Sequence, residues 1–182
     1  AGTVIRENTS KELQKKYEDK LRESLEVGYS ILESWGSSVD AVEKTIKILE
    51  DSELFNAGKG SVLTNEETVE MDASIMTGSD LNAGAVATLK TIKNPISAAR
   101  AVMEKSKHVF LSGKGAENFA VDNGLETVNN NYFITEKQLK QIRKIKENKY
   151  GTVGCVALDK SGNITAGTST GGMMNKKWNR IG

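Results

Sequence analysis

A β-hairpin is predicted by the segment Tyr150-Gly151-Thr152-Val153-Gly154-Cys155-Val156-Ala157-Leu158-Asp159, with its continuation to Thr168-Ser169-Thr170-Gly171-Gly172. Residues 152–158 are mostly apolar and strand-prone, residues 159–163 form a dense turn cluster, and residues 164–170 carry β-branched side chains at intervals. If the loop is 160–162, the antiparallel register sets Thr152 opposite Thr170. Directly opposed residues have Cβ atoms about 5 Å apart, so the two hydroxyls can hydrogen-bond. On geometry alone, an ordinary cross-strand threonine pair explains this arrangement.

Length and charge limit what the chain can be. At 182 residues it can bury a substantial core, and one domain is predicted. Its 25 basic and 24 acidic residues give a formal charge of +1, which offers no reason to expect nucleic acid or an anionic membrane as a partner. No apolar run approaches the roughly 20 residues that span a bilayer. Neither a membrane nor a nucleic acid is therefore expected as a partner.

The single cysteine, Cys155, bears on the compartment. It excludes an internal disulfide and fits a reducing environment, so a cytoplasmic location is expected. No signal peptide is visible, but the opening residues Ala1-Gly2-Thr3 suggest a trimmed N-terminus, so export to the periplasm stays open.

Two amphipathic helices are predicted at the start of the chain, and both are expected to cover a sheet. Thr9 and Glu12 have the spacing of a capping box, and the helix ends near Trp35. Its apolar residues recur every four positions: Leu13, Tyr17, Leu21, Leu25, Tyr29 and Leu32. Ser38 is predicted to cap the second helix, whose apolar stripe is Val39, Val42, Ile46 and Leu49.

Short strands and two further helices are predicted between residues 61 and 124. The strands are predicted at 61–64, 69–76, 83–89 and 108–111. One helix starts at Asn94-Pro95, with Asn94 as its cap, and buries Ile96, Ala99, Val102 and Met103. The other covers 116–122 and stops at Asn123-Gly124.

From about residue 125 to residue 151 the chain is predicted to be a mobile basic linker. Six of the residues in 136–149 are basic: Lys137, Lys140, Arg143, Lys144, Lys146 and Lys149. A nucleic-acid patch is the alternative, but the aromatic or glycine residues that accompany base stacking are missing. A solvated linker directly before Gly151 is therefore the favoured interpretation.

The usual catalytic constellations are poorly represented. One histidine and one cysteine leave no cluster with zinc-site spacing. His108 would have to be the base of a serine or cysteine site, but it adjoins an apolar run, and a structural histidine is the favoured interpretation. Cys155 lies among valine and alanine, which favours a small buried residue. In the 51–60 loop, Glu53 stands where a phosphate loop needs its first glycine.

Several motifs, in order, closely resemble the plant-type asparaginase/isoaspartyl peptidase family of N-terminal-nucleophile hydrolases. They are Leu54-Phe55-Asn56-Ala57-Gly58, Gly151-Thr152-Val153-Gly154, Thr168-Ser169-Thr170-Gly171-Gly172-Met173 and Asn179-Arg180-Ile181-Gly182. The resemblance covers nearly the whole chain but only part of the family's length. It implies an α+β fold, a four-layer αββα sandwich that is incomplete in this chain. Residues 1–151 would be part of an α-subunit and residues 152–182 the start of a β-subunit, together forming one domain.

A threonine nucleophile needs neither histidine nor cysteine, because its own α-amino group can act as the base. Such an amine has a pKa of about 8, so it can be substantially neutral at physiological pH. The amine exists only if the preceding bond is cut. Gly151, without a Cβ, can expose its carbonyl to the Thr152 hydroxyl. The hypothesis is an N→O acyl shift at Gly151–Thr152, followed by hydrolysis of the ester.

The resemblance assigns roles to individual residues. Thr152 would be the nucleophile, Thr170 its hydrogen-bond partner and Asn56 the active-site asparagine. Arg180 matches the arginine that holds the substrate α-carboxylate, beside Ile181 and Gly182. No organic cofactor is implied, but in bacterial relatives the corresponding loop holds a sodium ion through backbone carbonyls. The matching positions here are Leu49, Glu50, Ser52, Phe55, Ala57 and Lys59.

The implied activity is hydrolysis of L-asparagine and β-aspartyl (isoaspartyl) dipeptides to L-aspartate, through an acyl-enzyme on Thr152, in an (αβ)2 assembly of the cleaved subunits. The family continues beyond Arg-Ile-Gly with a substrate-binding aspartate and a segment that supplies oxyanion-hole donors. This chain alone is therefore expected to turn over little substrate. A glycosylasparaginase-type amidase and a non-catalytic α/β fragment or binding domain are the alternatives. The Met173-Met174-Asn175-Lys176 segment favours the asparaginase branch.

Overall fold

The computed structural model describes residues 9–143 and 152–181, and it confirms a mixed α+β chain. The helices, in chain order, are α1 (Lys11–Glu33), α2 (Ser38–Glu50), α3 (Pro95–Lys105), α4 (Gly113–Asp122) and α5 (Glu136–Arg143), with a short 3-10 helix at Asn130–Phe133. The strands are β1 (Met71–Thr77), β2 (Ala83–Leu89), β3 (Phe110–Ser112), β4 (Val153–Leu158) and β5 (Ile164–Thr170). Among the described helices, none combines the length and the hydropathy that crossing a bilayer requires.

The five strands form one sheet in the order β3-β2-β1-β5-β4. All neighbours are antiparallel except β2 and β3, so β5 lies between β1 and β4. The hairpin of β4 and β5 has the predicted register, because Val153 pairs with Ser169. The Asp159 amide donates to the Asn163 carbonyl at 3.0 Å, which closes the predicted loop at 160–162.

Helices α2 and α3 cover one face of the sheet. On β5, a Cβ added to Gly167 would lie 2.7 Å from Val42 and 3.1 Å from Ile46 on α2, so glycine lets the helix approach the strand closely. Arg100 on α3 forms an ion pair with Glu43 on α2 at 2.7 Å, which joins the two helices above the sheet. The apolar stripe predicted for α3 is buried, as expected.

The opposite face of the sheet is open within the described residues. Val156 and Leu158 on β4 are 73% and 60% exposed, and Ile164 on β5 is 51% exposed. Large apolar side chains on the inner face of a sheet are usually covered by a second packed layer. The described residues thus hold one sheet and one helical layer of the predicted four-layer αββα sandwich.

The apolar stripe predicted for α1 is wrong in its middle. Leu21, Leu25 and Tyr29 are 38%, 70% and 64% exposed, whereas Gly28 is buried. The reason is a close approach to α2, since a Cβ on Gly28 would lie 2.3 Å from Thr45 Oγ1. The interface therefore takes small residues, and the larger apolar side chains point outward.

The packing of α1 against α2 predicts a large loss of stability for one substitution and a small change for another. Gly28→Leu should lower the free energy of unfolding by about 1–3 kcal/mol, because the new side chain has no room against Thr45. Leu25→Ser should change it by less than about 0.5 kcal/mol, because Leu25 is already exposed. Urea unfolding followed by circular dichroism would compare the two. A larger loss for Leu25→Ser would contradict this packing.

Helix caps differ from the predictions in detail. Ser10, not Thr9, caps α1, and Ser37, not Ser38, caps α2. Asn94 occupies the cap position of α3, but its side chain donates to a carboxylate in the 51–60 loop instead. Neighbouring polar residues offer similar capping groups, so the spacing alone could not choose between them.

Strand predictions are mostly confirmed, with one exception. β2 occupies the predicted residues, while β1 and β3 are slightly shifted towards the C-terminus. The segment 61–64 forms no strand; it contributes a single bridge between Leu63 and Val69. Helix α4 ends at the predicted Asn123-Gly124, where Gly124 has a φ of 76°.

The mobile linker predicted from about residue 125 is wrong over residues 125–143. Helix α5 buries Gln138, whose Nε2 donates to Gly60 O at 2.6 Å, and Ile142, which packs in a cluster with Phe133. The charged residues lie on the other side of the helix, so a high charge content concealed an amphipathic pattern. Residues 144–151 of the predicted linker lie outside the described residues.

Candidate functional site

Thr152 stands one residue before the β4 ladder begins. Its hydroxyl donates to Thr170 Oγ1 at 3.3 Å, which is the contact that the predicted register required. Thr170 Oγ1 also accepts the Gly172 N–H at 2.9 Å. Thr152 is exposed and Thr170 is buried. The exposed Thr152 hydroxyl is thus held in place by the buried Thr170 hydroxyl of β5.

Asn56 connects the 51–60 loop to the residues that follow β5 through hydrogen bonds. Its Nδ2 donates to Gly172 O at 2.7 Å, its Oδ1 accepts the Val62 N–H at 2.9 Å, and its carbonyl accepts the Gly171 N–H at 3.1 Å. A Cβ on Gly171 would lie 2.5 Å from Asn56 Oδ1, so a side chain does not fit there. The structure therefore brings Asn56 to the segment that directly follows Thr170.

Arg180 and Ile181 lie in an exposed turn beyond that segment. The Arg180 N–H donates to Lys177 O at 3.2 Å, which shapes the turn. An exposed guanidinium can form a bidentate pair with a small carboxylate ligand. The remaining two predicted site residues, Gly151 and Gly182, lie outside the described residues.

The loop predicted to hold sodium presents unengaged carbonyl oxygens. Leu49 O accepts the Ser52 N–H at 3.3 Å and Glu50 O accepts the Lys59 N–H at 2.6 Å, so two of the six predicted carbonyls are in use. The other four accept no hydrogen bond from the described residues: they belong to Ser52, Phe55, Ala57 and Lys59. Hard cations prefer oxygen ligands, so these four carbonyls are the atoms that could bind a sodium ion.

The side chain of Glu50 does not add a negative charge to this loop. It is fully buried, and one carboxyl oxygen accepts the Ile96 N–H at 2.9 Å. Burial raises the pKa of Glu50 to about 8, so the carboxyl is mostly neutral at pH 7. Within residues 9–143 and 152–181, no three acidic, histidine or cysteine side chains form a metal-binding group. A cation here would depend on the backbone.

Two buried charges near Thr170 were missed from the sequence. Lys176 is 2% exposed and donates to Glu70 O at 3.0 Å, and its Nζ lies 3.9 Å from Asp72 Oδ2. The available signal was the presence of two acidic residues, Glu70 and Asp72, inside the strand-prone run at 69–76. A charge in such a run requires a partner elsewhere in the fold.

Neither His108 nor Cys155 competes for the role of nucleophile or base. His108 is exposed between α3 and β3, so the structural role predicted for it is wrong. Burial raises the pKa of the Cys155 thiol, which keeps it in its unreactive form at neutral pH.

Known proteins resemble the chain over most of its length. The sequence model of the asparaginase family matches residues 1–150 and 140–182. An isoaspartyl peptidase/L-asparaginase of Bos taurus is 46% identical over 185 residues, which cover 96% of this chain and 60% of that protein. An isoaspartyl peptidase of Escherichia coli strain K12 is 41% identical over 198 residues, which cover 100% of this chain and 62% of that protein.

A third relative gives a similar picture. An isoaspartyl peptidase/L-asparaginase of Rattus norvegicus is 49% identical over 165 residues, which cover 85% of this chain and 50% of that protein. The chain therefore spans 50% to 62% of the length of these relatives. The family model matches the chain over its whole length, including the hairpin that places Thr152 beside Thr170. The chain therefore belongs to the asparaginase family.

Proposed function

We propose that the whole protein carrying this chain is a self-cleaving threonine amidohydrolase that releases L-aspartate from L-asparagine and β-aspartyl dipeptides. The observation that carries the proposal is the contact between the exposed Thr152 hydroxyl and the buried Thr170 hydroxyl. The names of the relatives, isoaspartyl peptidase and L-asparaginase, support the substrate class.

Self-cleavage would create the catalytic group. Thr152 Oγ attacks the carbonyl carbon of Gly151, the C–N bond breaks, and the acyl group moves from nitrogen to oxygen. Water then hydrolyses the ester, leaving a carboxylate on Gly151 and a free amine and hydroxyl on Thr152. Thr170 supports this step, because its oxygen accepts the Thr152 hydroxyl and so fixes the orientation of Oγ.

Hydrolysis would use the freed amine as the base. The neutral α-amine accepts the Thr152 hydroxyl proton while Oγ attacks the side-chain amide carbon of the substrate. Ammonia or an amino acid leaves with a proton, and water hydrolyses the resulting ester to aspartate. Arg180 would pair with the substrate α-carboxylate, flanked by Ile181 and Gly182. Asn56 would keep the Gly171-Gly172 segment open beside the substrate.

The assembly and the compartment belong to the same proposal. After cleavage the two polypeptides would act as α- and β-subunits, pairing as (αβ)2. A cytoplasmic location is supported by the use of a single cysteine.

A sodium ion would hold the 51–60 loop in the shape that presents Asn56. Replacing sodium by choline at constant ionic strength should then lower the melting temperature of the whole protein. A site held at tenfold its dissociation constant would contribute about 1.4 kcal/mol, because binding to the folded state stabilises by mass action. Equal melting temperatures in both salts would argue against the ion.

Substrate preference tests the function. Purified whole protein would be given L-asparagine, a β-aspartyl dipeptide and a glycosylated asparagine, with released aspartate measured for each. Hydrolysis of the first two is the expected result. Preference for the glycosylated substrate would assign a glycosylasparaginase-type amidase instead. A chain that stays intact and hydrolyses none of them would indicate the non-catalytic alternative.

A further inference from the structure

Thr152, Thr170 and Asp72 lie in one row on the open face of the sheet. Ser74 Oγ and Thr168 Oγ1 are 3.0 Å apart on this face, which shows where the side chains of β1 and β5 meet. Asp72 and Thr170 are the next same-face pair in the register of these strands. A carboxylate therefore stands directly across the ladder from the residue that accepts the Thr152 hydroxyl.

Among the described residues, the Lys176 ammonium lies close to the Asp72 carboxylate. Its Oδ1 accepts the Thr88 N–H at 2.9 Å, and its Oδ2 lies 3.9 Å from Lys176 Nζ. Both side chains are almost completely buried, with 8% exposure for Asp72 and 1% for Lys176. The nearby carboxylate of Glu70 forms an ion pair with Lys90 at 3.1 Å. Asp72 and Lys176 thus each offset part of the other's buried charge.

Lys176 belongs to the segment that links Thr170 to Arg180. This segment is fixed at one end by Asn56, through Gly171 and Gly172, and at its middle by the Asn175 N–H, which donates to Leu63 O at 2.7 Å. Burial lowers the pKa of the Lys176 ammonium, Asp72 and Glu70 oppose that effect, and Arg180 adds to it. The Arg180 charge therefore lies within electrostatic reach of the buried pair.

We propose that Asp72 and Lys176 form a buried ion pair that positions Thr170 and Arg180 for reaction at Thr152. This inference rests on the proposed function. Removing the ammonium takes away a positive charge 3.9 Å from the buried Asp72 carboxylate, which would then compete for the Thr170 hydroxyl proton across the ladder. The Thr170 oxygen would then turn away from Thr152. Both members of the pair are positioning residues, since they act through Thr170 and the 171–180 segment.

The chain offers a matched control for the lysine. Lys176→Met removes the buried ammonium, and Lys177→Met makes the same change in its exposed neighbour. In the whole protein, Lys176→Met should slow self-cleavage and reduce kcat for a β-aspartyl dipeptide on the order of tenfold to a hundredfold, as expected for a misplaced reacting group. Lys177→Met should leave both rates unchanged. The self-cleavage rate would be expressed per folded molecule and kcat per folded, cleaved molecule, so a loss of stability alone would lower neither value.

A second variant separates positioning from simple folding. Asp72→Asn is nearly isosteric and should also slow the reaction, while Asp72→Asn combined with Lys176→Met removes both charges and should recover part of the rate. A folded Lys176→Met protein with wild-type rates would overturn the inference, as would a double variant as slow as the product of the two single effects. If Lys176→Met does not fold, wild-type rates for Asp72→Asn overturn it equally. Failure of the unmodified protein to cleave or hydrolyse would refute the proposed function instead.

Discussion

In the whole protein, Thr152→Ala is expected to leave the chain uncut after Gly151 and to reduce the proposed hydrolysis of a β-aspartyl dipeptide on the order of a millionfold. Alanine has no oxygen to attack either the Gly151 carbonyl or the substrate amide. It also removes the donor that reaches Thr170 Oγ1 at 3.3 Å. Intact mass of aged protein would measure the cleavage, and release of aspartate would measure the hydrolysis.

Two controls make this result specific to the nucleophile. Thr152→Ser keeps an attacking hydroxyl and should still yield two fragments that meet between positions 151 and 152. Thr168→Ala removes another hydroxyl from the same face of β5, one that contacts Ser74, and should cut normally. Two fragments that meet between positions 151 and 152 in Thr152→Ala would show that a different group performs the cleavage.

Asn56→Asp is expected to slow self-cleavage and substrate turnover on the order of a hundredfold. An aspartate at position 56 still accepts the Val62 N–H, but it cannot donate a hydrogen bond to Gly172 O. Its second carboxylate oxygen would take the place of Asn56 Nδ2, which lies 2.7 Å from Gly172 O. Two acceptor oxygens at that distance repel, so the segment after Thr170 must move. Stopped assays on the folded fraction would give both rates.

Asn82→Asp is the matched control for this substitution. Asn82 is exposed, and its Nδ2 donates to the Met103 carbonyl of α3 at 3.1 Å, so the same chemical change breaks a comparable hydrogen bond outside the site. Rates close to those of the unmodified protein are expected. Equal losses in the two variants would indicate that Asn56 acts only through general stability.

The hairpin was predictable because its register depends on local chemistry. A turn cluster at 159–163 fixes the loop length, and the loop length fixes which residues face each other. The contact between Thr152 and Thr170 follows without knowledge of the rest of the chain. The face of α1 was not predictable in this way, because the burial of Gly28 depends on how closely Thr45 of α2 approaches it.

Contacts between distant segments account for the remaining differences. Asp72 and Lys176 are separated by more than half of the chain, and the pairing of β1 with β5 helps to bring them together. Composition was misleading for α5, because a highly charged segment can still bury one face through residues such as Gln138 and Ile142. The resemblance predicted an active-site role for Asn56, but its contact with the Gly171-Gly172 segment depends on the folded structure.

The position of β5 between β1 and β4 has a consequence for the products of cleavage. Six consecutive residue pairs join β5 to β1, from Asp72 with Thr170 to Thr77 with Thr165. A cut before Thr152 would break the backbone just before β4 begins, and it would break none of these pairs. The two polypeptides would remain joined by strand pairing within one sheet. Separating them would therefore require a denaturant, and dilution would not be enough.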